Sequence, residues 1–253
     1  MITQSIKDHK KAIIPYVTAG LPSLESTGKI LLALQDGGAS AIEIGIPFSD
    51  PMADGPVLQK ASFMALQAGF RMEDLLDCLR GWSSMLDIPL VVMSYINPLM
   101  RRGLRQTLTN LKDSGVRGVI IPDLPRDAGA IFNDCKAMGI DLIRMVAPTT
   151  ERSRMKEVLS QCSGFVYAVS IKGVTGTRSD LPLEVHSQVK SIKEMTDLPV
   201  CVGFGISSAA QVDDLLAHAD GVIVGSYLMG RLMDSAEPAR IAYETLKGLL
   251  NGK

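Results

Sequence analysis

No apolar run in the chain is long enough to span a bilayer, and no block of basic residues is present. With 26 Lys and Arg against 27 Asp and Glu, the formal charge of −1 offers no electrostatic grip on nucleic acid. Neither a membrane nor a nucleic-acid partner is therefore expected. The N-terminal M-I-T-Q-S-I-K-D-H-K-K lacks the apolar core of a secretory signal. A cytoplasmic location is expected, or a plastid one if a transit peptide has been removed. Cys78, Cys135, Cys162 and Cys201 are scattered with no C-x-x-C pair, which argues against zinc and for buried, reduced thiols. Neither a dinucleotide fingerprint nor a Walker motif occurs. His9, His186 and His218 fall near helices or the terminus and read as surface residues, not as a metal trio. Met93, Met138 and Met145 read as core filling.

What is present is a repeating order. Short β-branched runs at 13–18, 41–46, 89–95, 118–124, 141–147, 164–170, 199–204 and 221–225 read as strands. Amphipathic segments at 24–35, 57–67, 72–85, 103–114, 127–138, 152–161, 183–195, 208–217, 226–233 and 239–250 read as helices. Alternation of this kind argues for parallel strands joined by helical crossovers. Eight such units in 253 residues fit a closed (β/α)₈ TIM barrel, an α/β fold, better than an open doubly wound sheet. No composition break or long linker divides the chain, so a single domain spanning 1–253 is expected, with extra short helices.

The most informative stretch is A-I-E-I-G-I-P-F-S-D-P-M-A-D-G-P at 41–56. Ile42, Ile44 and Ile46 share one face of a period-2 segment, while Glu43 and Gly45 share the other. That parity points Glu43 to the barrel interior, where a carboxylate is costly to bury unless paired, hydrogen-bonded or protonated. Pro47, Pro51 and Pro56 stiffen the following loop, which carries Asp50 and Asp54. Glu43 and Asp54, eleven residues apart, could flank one bound molecule. A buried salt bridge for the glutamate and a turn role for the aspartate fit the same spacing. Active sites of such barrels lie at the C-terminal ends of the strands, where Tyr95, Asn97, Asp123 and Tyr167 also fall.

Glycine clusters follow strands six to eight: G-V-T-G at 173–176, G-F-G at 203–205 and G-S at 225–226. Glycine lets backbone N–H groups approach an anion, and Ser226 can open a short helix whose N-terminus attracts phosphate. Those loops form the usual phosphate cradle of this fold.

Taken together, these residues resemble the alpha subunit family of tryptophan synthase. E-I-G-I-P-F-S-D-P-M-A-D-G-P is close to letter for letter the family signature, and P-Y-V-T-A-G, I-P-D-L-P, S-x-x-G-V-T-G and G-F-G-I-S follow in order across essentially the whole chain. The resemblance implies a lyase that cleaves indole-3-glycerol phosphate to indole and glyceraldehyde 3-phosphate by a retro-aldol reaction. It places the general acid/base on Glu43 and the second catalytic carboxylate on Asp54. By the same resemblance Tyr16, Tyr95 and Tyr167 line the indole pocket, and Thr175 lies on a closing loop. Gly176, Gly203, Phe204, Gly205, Gly225 and Ser226 fall on phosphate-binding positions. The implied partner is the beta subunit, in an alpha2beta2 heterotetramer; it carries pyridoxal phosphate, and this chain itself needs no cofactor and no metal. The Pro-rich loop at 51–56 is expected to join that contact.

Two departures from the family pattern stand out. Ile171 occupies the place where many members carry arginine in the closing loop, and the segment before the first strand is short, so a reduced plug helix is expected. A different phosphosugar-binding barrel, a stand-alone indole-producing lyase and a weakly active allosteric partner are the alternative readings.

Overall fold

The computed structural model describes residues 1–125, 127–169, 183–203 and 205–252. Eight parallel strands close into a barrel in sequence order: β1 (Ile13–Thr18), β2 (Ile42–Gly45), β3 (Leu90–Met93), β4 (Val116–Ile120), β5 (Asp141–Val146), β6 (Val166–Val169), β7 (Val200–Gly203) and β8 (Gly221–Val224). Ile13, Ile14 and Pro15 of β1 pair with Val222, Ile223 and Val224 of β8, so no strand edge is left open.

Around the barrel run α1 (Ile2–Asp8), α2 (Leu24–Gly37), α3 (Pro56–Gln67), α4 (Met72–Met85), α5 (Ile96–Met100) and α6 (Leu104–Asp113). They are followed by α7 (Gly129–Met138), α8 (Arg152–Ser160), α9 (Leu183–Lys193), α10 (Ala209–Leu216), α11 (Ser226–Met233) and α12 (Pro238–Asn251). Their ends follow local chemistry. Ser23 caps α2 by accepting from the Ser26 N–H, and Gly38, at φ 101°, terminates it in the left-handed region. Pro56 takes the first helical position of α3, where its missing N–H costs nothing.

Two features differ from the sequence expectation, while the plug helix is short as expected. Strand β4 begins and ends earlier than 118–124, because Pro122 cannot donate to the ladder and the chain turns at the strand end. Helix α5 is too short to show a period in the sequence; Pro98 sits in its first turn and the Asp123 carboxylate accepts from the Ile96 N–H at 2.8 Å. Helix α1 is short, yet Ile2 and Ile6 are fully buried under the barrel. Thr3 Oγ1 donates to the Gly164 carbonyl at 2.6 Å and Ser5 Oγ to that of Ser40 at 2.5 Å, fixing the plug from two sides.

Register defines the interior. Tyr16 pairs with Glu43, Glu43 with Val91, Val91 with Gly118, and Gly118 with Asp141. A Cβ on Gly118 would meet Ile143 and the plug residue Ile2, so this parity faces inward. The isoleucines at 42 and 44 take the opposite parity, under the helices, and are fully buried there. Burial on both faces explains why the strands read as nearly continuous apolar runs.

The helix layer is tight where glycine permits it. The Trp82 indole of α4 lies against Gly28 of α2, where a Cβ would collide with its Nε1. Gly81 of α4 is exposed, with no atom within 4 Å of the place a Cβ would take. Gly28→Ala should therefore cost about 1–3 kcal/mol by overpacking, whereas Gly81→Ala should add about 0.5–1 kcal/mol by helix propensity. Urea unfolding of both variants checks the pair; equal effects would contradict this packing.

Candidate active site

At the C-terminal end of the barrel, β1 and β2 bring Tyr16 and Glu43 side by side. Glu43 is 1% exposed, and its Oε2 has no hydrogen-bond partner among the described residues. An unpaired buried carboxylate is costly, so the proton is held instead. Burial first, and the charge of Asp54 second, push its pKa up to about 8.

Asp54 arrives from the loop that follows β2. That loop is folded by its own bonds, with the Asp54 N–H donating to the Pro51 carbonyl at 3.0 Å and the Met52 N–H to that of Asp50 at 2.9 Å. Tyr95, at the end of β3, ties it to the barrel: its hydroxyl accepts from the Ala53 N–H at 2.9 Å. Partial burial raises the Asp54 pKa to about 6, while the hydrogen bond from Tyr95 holds it down. The two carboxyls thus titrate apart because one is sealed in the barrel and the other sits at its rim. The Asp50 carboxylate is exposed and accepts from the Ser49 hydroxyl, so it does not join them.

Two tyrosines lean across glycines of the neighbouring strands. A Cβ on Gly45 would strike the Tyr16 hydroxyl, and one on Gly203 would lie 2.5 Å from that of Tyr167. Burial raises the pKa of both phenols, Glu43 and Asp54 add to this, and both stay neutral donors. Thr18, fully buried, donates through Oγ1 to the Tyr16 hydroxyl at 3.5 Å. Sequence reasoning missed Thr18, although its i+2 spacing from Tyr16 on β1 was a usable signal. It also read Asp123 as a rim residue without seeing that it caps α5, and it missed Phe48, whose ring lies 5.3 Å from that of Tyr95.

On the opposite rim, Gly203 pairs with Ile223, which sets Gly205 and Gly225 just beyond the ends of β7 and β8. Gly205 adopts φ +46°, a conformation L side chains rarely take, and has open space around it. Gly225 precedes α11, whose first turn, starting at Ser226, has no side-chain cap. Its free N–H groups suit an anion. Gly176, Phe204, Thr175 and Ile171 lie outside the described residues.

Across residues 2–251 the chain matches the family model described as tryptophan synthase alpha chain. The chain belongs to the tryptophan synthase alpha chain family. It is 45% identical over 221 residues to the alpha chain of Carboxydothermus hydrogenoformans, covering 87% of this chain and 83% of that one. To the alpha chain of Synechococcus elongatus it is 44% identical over 225 residues, covering 88% and 85%. The solved alpha subunit of Pyrococcus furiosus superposes with a TM-score of 0.89 at 36% identity, covering 95% of this chain and 98% of that one. A chain from the tryptophan synthase a2b2 complex of the same organism gives 0.91 at 37%, with the same coverage. Of the residues that the family signature brings forward, Glu43, Asp54, Tyr16, Tyr95 and Tyr167 converge at one barrel mouth.

The remaining candidates separate from it. Among the described residues no group of three His, Cys, Asp or Glu is placed to hold a metal. His186 is half-buried rather than on the surface, stacked on His218 at 4.2 Å and 3.5 Å from Asp214. All four cysteines are free; Cys135, Cys162 and Cys201 are buried, but Cys78 is only half-buried because it sits toward the outer side of α4.

The raised Glu43 pKa has a thermodynamic consequence. The folded state holds this proton more tightly than the unfolded one, so the linked stability is complete below about pH 4.5 and is lost as pH rises toward about 8. Wild-type unfolding free energy should fall across that window with a slope from this group of at most about 1.4 kcal/mol per pH unit. Glu43→Gln should remove that contribution. Parallel wild-type and variant curves in denaturant titrations would show that the carboxyl is not desolvated.

Proposed function

We propose that Glu43 and Asp54 carry out the reaction of the tryptophan synthase alpha chain family here, the retro-aldol cleavage of indole-3-glycerol phosphate to indole and glyceraldehyde 3-phosphate. The observation that carries this reading is the pair of unlike carboxyls, Glu43 near pKa 8 inside the barrel and Asp54 near 6 at its mouth. At neutral pH the first keeps its proton and the second has lost it.

The bond between indole C3 and the glycerol carbon breaks only if C3 is made tetrahedral. Protonated Glu43 supplies that proton. The ring becomes an indoleninium cation, and the Asp54 carboxylate, accepting from the ring N–H, stabilises its charge. Glu43, now a carboxylate, removes the proton from the hydroxyl on the glycerol carbon bonded to C3. That oxygen forms the aldehyde carbonyl as the carbon–carbon bond breaks, and the bonding pair returns to the ring, giving indole. One carboxyl both gives and takes a proton, so it is regenerated. Tyr16 and Tyr167 wall the ring, while Gly203, Gly205, Gly225 and Ser226, with Gly176 and Phe204, receive the phosphate through backbone N–H groups.

The complex of Pyrococcus furiosus is an a2b2 assembly described as mutually activating. We assign this chain the same kind of partner, the tryptophan synthase beta subunit, in an alpha2beta2 heterotetramer. Free indole is apolar and crosses membranes, so passing it between joined sites keeps it from being lost. Pyridoxal phosphate is assigned to that partner, and no residue of this chain is given to it. The Asp54 loop suits the contact, since Met52 on it is 90% exposed and Met100 of nearby α5 is 58% exposed. No described helix is long and apolar enough to cross a membrane. A cytoplasmic location and a single folding unit for the whole chain complete the reading.

Glu43→Gln should keep the fold and lower indole release by about 10²–10⁴-fold, the usual contribution of a general acid–base group. Asp54→Asn should also slow turnover, yet leave calorimetric binding of glycerol 3-phosphate largely unchanged. Near-normal turnover in the first variant, or loss of glycerol phosphate affinity in the second, would remove the corresponding role.

A further inference from the structure

A cavity of about 780 Å³ lies outside the barrel mouth. It lies beside it, between the strand ends of β2 and β3 and the start of α4, and none of Glu43, Asp54, Tyr16, Tyr95 or Tyr167 lines it. Its apolar wall is built by Ile46, Phe48, Leu66, Phe70 and Met72. At its rim stand Arg71, Arg101 and Arg102 around a lone carboxylate, Glu73.

The charges there do not cancel. Glu73 is in contact with Arg102, lies 3.9 Å from Arg71, and has its pKa lowered, by a backbone hydrogen bond first and by the three arginines after it. Arg101 forms no ion pair among the described residues. One carboxylate therefore faces three guanidinium groups, in a chain whose overall charge is −1. Guanidinium groups bind carboxylate and phosphate through paired N–H donors, and an adjoining apolar wall suits a hydrocarbon body.

We infer that this cavity is a second binding site, which takes a small amphipathic organic anion: an aromatic or alkyl body against Phe48, Phe70 and Met72, with its carboxylate or phosphate on Arg71 and Arg101. The site touches the barrel mouth through one ring. Phe48 lines the cavity and packs at 5.3 Å on Tyr95, whose hydroxyl holds the Asp54 loop. The inference does not depend on the reaction assigned above, because it rests on residues outside that site.

Calorimetric titration of the full chain with naphthalene-2-carboxylate, with 2-naphthyl phosphate and with the neutral naphthalene-2-carboxamide tests it. With the barrel mouth saturated by glycerol 3-phosphate, both anions are expected to bind at one site per chain, and the amide at least about tenfold more weakly, since it loses the charge-assisted bonds. Saturating glycerol 3-phosphate, a ligand for the barrel mouth, should not displace the carboxylate. The double variant Arg71→Gln, Arg101→Gln should weaken both anions by about tenfold or more. Its thermal unfolding should match wild type, because both side chains are exposed. No binding of either anion at millimolar concentration, equal affinity for the amide, unchanged affinity in a folded double variant, or displacement by glycerol 3-phosphate would each overturn the inference. A stronger response to only one anion would identify the head group without altering it.

Discussion

Desolvation of one carboxyl governs the site, and the closed barrel exists around it. Glu43 is 1% exposed and its Oε2 has no partner among the described residues, so holding a proton offsets the cost of burial. Any opening that admitted water would return its pKa toward the carboxylate range. The same contacts that stabilise the fold therefore hold the proton. Closure of β8 onto β1 removes the edge through which solvent would enter beside Tyr16, and Ile2 and Ile6 of α1 seal the floor. Each fully buried isoleucine contributes roughly 1.5–3 kcal/mol of transfer energy, and part of that total is spent on keeping an unpaired acid dry.

Glycine sets the space that remains. Tyr16 and Tyr167 reach across Gly45 and Gly203 on adjacent strands, and side chains there would push both rings out of the mouth. These glycines are selected by a neighbour's bulk, which differs from the demand at Gly205, where the backbone itself enters the left-handed region. Both rings keep neutral hydroxyls, and that of Tyr16 accepts from Thr18.

Much of this was legible in the residues. Period-2 parity put Glu43 opposite Ile42 and Ile44, and the register bears this out, because a buried strand cannot slip by one residue without inverting both faces. Helices with strong periodicity, such as α4 at Met72–Met85, matched to the residue. Short elements did not. Helix α5 is five residues long and depends on a cap from Asp123, 27 positions away, which no local pattern reveals. The stacking of His186 on His218 is likewise a tertiary event, since the rings come from separate segments flanking β7. The cavity beside the barrel escaped for the same reason: its arginines are consecutive or scattered in sequence and become a cluster only when α4 and α5 meet.

The separation of the two acids between strand and loop has a physical logic of its own. Two carboxylates a few ångströms apart inside the barrel could not both ionise, because their repulsion in a low dielectric exceeds anything the site could return. Both would then titrate as one coupled pair, and neither role would be reliably filled. Placing Asp54 on a rim loop lets solvent and the Tyr95 hydroxyl stabilise its charge, while its field still reaches Glu43 and helps raise that pKa. The rigidity lost by using a loop is recovered through Pro51, Pro56 and the bond from the Ala53 N–H to Tyr95. A protonated carboxyl and an ionised one thus coexist at neutral pH because one is sealed in the barrel and the other sits at its rim.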